Sequence, residues 1–64
     1  MSNRAAYTRG KIDAQGHLKA YGFDRMDLLF KQIDVRYKDP YHIREYSMGI
    51  VSEMRRCLSK ETNE

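Results

Sequence analysis

The sequence predicts an all-α fold of three consecutive helices. Apolar residues recur at three- and four-residue steps, Gly22 and the pair Asp39-Pro40 interrupt that rhythm, and no alternating segment has a strand to pair with. The expected helices span about 3–20, 24–37 and 40–59, in a small orthogonal or bundle-like arrangement with a polar C-terminal tail. A chain of 64 residues makes a single domain, 1–64, with residues 1–2 and 60–64 expected to fray. At this length a folded chain buries only about 60% of the surface its unfolded form exposes, so the core must be thin or completed by a partner.

Ser2 or Asn3 supplies an N-cap for the first helix, and Gly22 stands where a left-handed terminator is needed before apolar Phe23. Tyr7, Gly10, Ala14, Leu18 and Tyr21 fall on one stripe. Gly10 and Gly16 each cost about 1 kcal/mol relative to alanine, which marks this helix as the one to fray or break, at Gly16. Asp24 is the expected N-cap of the second helix, with Asp27 in the place of a capping-box acid. Its seam is Met26, Leu29, Phe30, Ile33 and Tyr37, while Leu28 and Val35 form an apolar ridge on the opposite side. Two apolar sides call for a position between the other helices, or for a second copy of the chain. The alternation Ile33-Asp34-Val35-Arg36-Tyr37 also suits a strand, but a lone five-residue strand has no partner here. Asp39 as N-cap and Pro40 at the first helical position open the third helix. Its stripe is Ile43, Ser47, Ile50, Met54, Cys57 and Leu58, flanked by Tyr46 and Val51, and Lys60 to Glu64 is read as a polar tail.

Twelve Lys and Arg against nine Asp and Glu give a net charge of +3. The excess is N-terminal: residues 1–32 hold six cations and three acids, whereas the rest balances. An isoelectric point of 9.2 meets the threshold of about 9 associated with nucleic-acid binders, yet three net charges make a weak field. Cys57 is the only cysteine, which excludes an internal disulfide and points to a reducing compartment, the cytoplasm. The longest apolar run is Leu28-Leu29-Phe30, far short of the roughly 20 residues of a membrane span. No signal-like stretch opens the sequence, so neither a membrane partner nor export is expected.

Little points to chemistry. His17, His42 and Cys57 share no i, i+3 or i, i+4 relation, so no metal site is expected. Ser47 and Ser52 have no histidine one turn away, the acids mostly alternate with bases, and Arg44 with Glu45, or Glu53 with Arg56, reads as helix decoration. Gly10, Gly16 and Gly22 lack the preceding strand of a phosphate loop. The expectation is a protein that is not an enzyme and uses no cofactor.

Binding is a better fit. Arg4, Thr8, Lys11, Gln15 and Lys19 share a polar face of the first helix, which can follow phosphates while Tyr7 or Tyr21 stacks on a base. The same row also suits an ordinary solvated face. A helix-turn-helix reading would use Tyr41, His42, Arg44 and Glu45, but the break before the third helix is tight for it. Protein contact is the other candidate. Tyr37, Tyr41 and Tyr46 cluster around Pro40 with Arg36 and Arg44, residue types favoured at binding hot spots. These rings also suit caps over a thin core with their hydroxyls in water.

Ala6-Tyr7-Thr8-Arg9-Gly10 followed by Ala14, then Pro40-Tyr41, and Gly49 in the following helix together resemble the ribosome modulation factor family of small basic helical proteins. The chain departs from that pattern where Ala14 stands one position late, where Met48 and Ile50 replace tryptophans, and where a long second helix is inserted. The resemblance implies contact with ribosomal RNA that silences or stores ribosomes, with Arg9 in a basic first helix. The resulting expectation is a regulator that binds RNA or a ribonucleoprotein through Arg4, Arg9, Lys11 and Lys19. The alternative is a phage- or mobile-element-type protein that binds a host protein, or itself as a homodimer, through Leu28, Val35, Arg36, Tyr37, Tyr41, Arg44 and Tyr46.

Overall fold

A computed structural model of the chain describes residues 4–62, with side chains through Ser59. It contains three helices, α1 (Ala5–Tyr21), α2 (Met26–Arg36) and α3 (Pro40–Thr62), and no strand among the described residues. The expected all-α class holds, with adjusted boundaries.

Helix α1 begins at Ala5 with Arg4 in the cap position and no side-chain cap bond. The expected caps, Ser2 and Asn3, lie outside the described residues. The helix runs unbroken through Gly16, the point at which the sequence marks it weakest. It stops at Gly22, whose φ of 67° no side chain opposes and whose N–H donates to the Leu18 carbonyl at 2.9 Å. Asp24 does not cap α2. It lies in the turn, and its carbonyl accepts a hydrogen bond from His17 Nε2 at 2.7 Å, tying the turn back to α1. Arg25, left-handed at φ 56°, takes the cap position without a side-chain bond. The start of α3 is as expected: the Asp39 carboxylate accepts from the His42 N–H at 3.1 Å, ahead of Pro40. That helix continues to Thr62, beyond the expected end at 59.

The largest interface is α1 against α3. Ala6, Gly10 and Ala14, spaced four residues apart, are buried along one side of α1. Gly10 presses on the Tyr46 carbonyl and the Ile50 amide of α3, and Gly49 presses on the Tyr7 carbonyl and the Lys11 amide of α1. A Cβ on either glycine would collide with backbone, so the two helices cross in main-chain contact. Tyr46 and Ile50 fill the core beside this crossing, and Leu29 and Ile33 of α2 complete it, with Met26, Phe30, Tyr37, Ile43 and Met54 packed at its edge.

Because α1 and α3 touch directly, α2 cannot lie between them, and the expected central position of that helix is corrected. It buries one seam against the pair and leaves Leu28 45% and Val35 76% exposed.

Candidate nucleic-acid and protein-binding surfaces

The cationic row of α1 survives in part. The Arg4 guanidinium lies 4.0 Å from the Tyr7 ring centroid and 3.9 Å from Glu45, so the ring stacks on a cation of its own chain. Lys11, one turn after Tyr7, is half-buried at the Gly49 crossing, and Lys19 is exposed. Neither lysine makes an ion pair among the described residues. Gln15 is spent on the Glu53 carboxylate, to which its amide donates at 3.1 Å. Arg9, the remaining expected RNA contact, is engaged elsewhere. It pairs with Asp13 at 3.3 Å, and Asp13 also holds Arg36 of α2 at 3.4 Å and accepts a hydrogen bond from the Tyr46 hydroxyl of α3.

This Asp13 cluster corrects the expected protein-binding patch. Tyr46 is fully buried and offers no surface to a partner. Its removal from water, reinforced by the hydroxyl's bond to the Asp13 carboxylate and that group's negative charge, pushes its pKa up to about 12. Arg36 is engaged by Asp13, and half-buried Tyr37 stacks on His42 and tilts against Tyr46, with centroids 5.8 and 5.3 Å away. Of the expected residues, Leu28, Val35 and Arg36 of α2 and Tyr41 and Arg44 of α3 are exposed, Arg36 with its guanidinium on Asp13. Two of the four helix-turn-helix residues are likewise committed, His42 to Asp39 and Glu45 to Arg4.

Glu53 is not helix decoration. Only 2% exposed, it holds Gln15 through one oxygen and Arg56 through the other, at 3.1 Å each. A shallow groove of about 700 Å³ lies alongside, with Tyr7, Met48, Val51 and Ser52 in its lining and Arg55 and Arg56 at its rim. Among the described residues no carboxylate lines it. Sequence reasoning passed over Arg55, although a signal was present: positions three and four residues to either side of it hold no acid, so no helical neighbour neutralises it.

Among the described residues no three His, Cys, Asp or Glu side chains gather as a metal site, and no helix is long and apolar enough to cross a membrane. The Ser47 hydroxyl donates to the Ile43 carbonyl at 2.8 Å. Fold and surfaces together define a small all-α protein with a cationic α1–α3 face and an apolar ridge on α2. Compared with protein-family models, curated proteins and solved structures, the chain gives no match.

Proposed function

We propose that this chain is a small non-catalytic cytoplasmic regulator that binds RNA or a ribonucleoprotein such as the ribosome through the face shared by α1 and α3. The observation that carries this reading is a gathering of cations that the acids beside them neutralise only in part. Among the described residues Lys11 and Lys19 have no ion-pair partner, Arg4 lies over Tyr7 with Glu45 at 3.9 Å, and the groove beside Tyr7 adds unpaired Arg55 and the Glu53-bound Arg56 with no carboxylate in the described lining. Such a face suits phosphates spaced along a strand, with apolar and aromatic surface beneath the bases. The likeness of Ala6 to Gly10 and of Pro40-Tyr41 to the ribosome modulation factor family supports the same partner class. Arg9, turned toward Asp13, takes a structural part rather than the contact the resemblance gives it.

Fluorescence anisotropy with a labelled single-stranded RNA tests the reading. Four phosphate contacts on a single strand lower affinity by about 50-fold between 50 and 200 mM salt. Lys11→Glu and Lys19→Glu each weaken binding and flatten that salt dependence. Absence of RNA binding even at low salt refutes the proposal.

The exposure of Leu28 and Val35 favours a second reading, in which a host protein or a second copy of the chain covers the α2 ridge. Sedimentation of Leu28→Glu beside the parent tests the homodimer. A folded monomer in both removes it.

A further inference from the structure

The side of α3 turned away from the core carries a pattern that the core does not use. Arg44, Met48, Val51, Arg55 and Leu58 follow one another at steps of four, three, four and three residues, the spacing of a seam between helices. Tyr46, Gly49, Ile50 and Glu53, which are buried against α1 and α2, occupy the opposite side of the same helix. Met48, Val51 and Leu58 are 45%, 40% and 48% exposed, a row of apolar side chains in water. Arg44 and Arg55 form no ion pair among the described residues, and the row contains no carboxylate.

We infer that this outer stripe of α3 is a docking face for an acidic amphipathic helix of another protein. The four-three steps call for a partner whose own side chains repeat with a helical period, because only then do ridges meet grooves along several turns. The partner's charge follows from the ends of the apolar segment. Arg44 and Arg55 are separated by about 16 Å along the axis at 1.5 Å per residue, and they bracket Met48 and Val51. Glutamate or aspartate set three turns apart on the incoming helix meets both guanidinium groups while leucine-like side chains cover the segment between them. Methionine at position 48 suits such a contact, since its unbranched side chain adapts to the surface laid on it.

Other occupants fit less well. A nucleic acid satisfies the two arginines but offers no side chains of helical period to the whole line from Met48 to Leu58. A second copy of this chain brings two more arginines and no carboxylate into the seam. The stripe excludes Lys11 and Lys19 but shares Met48, Val51 and Arg55 with the groove beside Tyr7, so a helix docked on α3 and RNA reaching into that groove compete, and the lysine variants separate the two.

The test uses the full chain and two labelled synthetic helical peptides with the same leucine seam, one flanked by glutamates and the other by lysines. The glutamate peptide binds roughly tenfold or more tightly than its lysine twin. The double variant Arg44→Glu with Arg55→Glu reverses that order, and Val51→Asp weakens both peptides. Lys11→Glu leaves peptide binding unchanged. These positions are on the surface, and helical circular dichroism with an unchanged urea midpoint confirms that each variant is folded. Equal affinity for the two peptides overturns the inference, as does indifference to the arginine reversal. It also falls if the stripe variants lose RNA and no peptide binds, or if sedimentation shows a dimer that Val51→Asp dissolves.

Discussion

Gly10 and Gly49 lie on facing sides of the α1–α3 crossing, each closing on the other helix's main chain. Gly10 sits against the Tyr46 carbonyl and the Ile50 amide, and Gly49 against the Tyr7 carbonyl and the Lys11 amide. The contact fixes the relation between the cationic row of α1 and the groove rimmed by Arg55 and Arg56.

Alanine at either position must push two backbones apart. Gly10→Ala and Gly49→Ala each destabilise by about 1–3 kcal/mol, despite alanine's better helix propensity. Gly16→Ala, in the same helix as Gly10 but with nothing within 4 Å of its added methyl, stabilises by about 0.5–1 kcal/mol. Urea unfolding of the three variants reads the opposite signs directly.

Tyr46 gives stability an alkaline limit. Its pKa in the folded chain is raised from 10.0 to about 12 by burial and by the Asp13 carboxylate, so the folded state holds the phenolic proton more tightly than the unfolded state does. The associated stability is complete below about pH 10, the reference value for tyrosine, and is lost as pH rises through 12. In Tyr46→Phe this component of the alkaline decline is absent, while stability at neutral pH falls by about 1–3 kcal/mol because the hydrogen bond to a charged group is gone. Urea midpoints followed across pH for both proteins check the shape and the offset.

The adjacent arginines of α3 have different duties. Among the described residues Arg56 supplies the only cation paired with the buried Glu53 carboxylate, whereas Arg55 makes no ion pair. Removing a buried acid's partner is costly, but the Arg56 side chain is 62% exposed and water compensates part of the loss. Arg56→Ala is therefore expected to destabilise by about 1–2 kcal/mol, and Arg55→Ala to stay within about 0.5 kcal/mol. Thermal or urea unfolding separates them.

Local signals in the sequence carried well, and long-range pairings did not. Asp39-Pro40 and Gly22 were legible because a helix end is set by neighbouring backbone and cap chemistry. The seam of α2 was legible because Leu29 and Ile33 repeat with a helical period. Asp24 misled: it has the chemistry of a cap, but the turn uses its carbonyl to hold His17. Gly10 reads as a stripe position and a weak point, and Gly49 as family likeness, since a residue without a side chain announces no partner. The two apolar sides of α2 therefore suggest a central position, whereas α1 and α3 touch each other directly. Tyr46 and Glu53 resembled surface residues for a related reason. Their burial is made tolerable by Asp13, Gln15 and Arg56, and two of these three lie more than 30 positions away from the group they satisfy. Among the expected RNA contacts, Lys11 and Lys19 kept an open role, while Arg9 was drawn off by an acid one turn along its own helix.

Nuclear Overhauser contacts from the Gly10 α-protons probe the crossing most directly. Cross-peaks to the protons of Tyr46 and Ile50, matched by cross-peaks from Gly49 to Tyr7 and Lys11, are expected for helices in main-chain contact. Cross-peaks from Gly10 to Leu29 and Ile33 in their place would put α2 between α1 and α3, and would dismantle both the core and the face assigned to RNA.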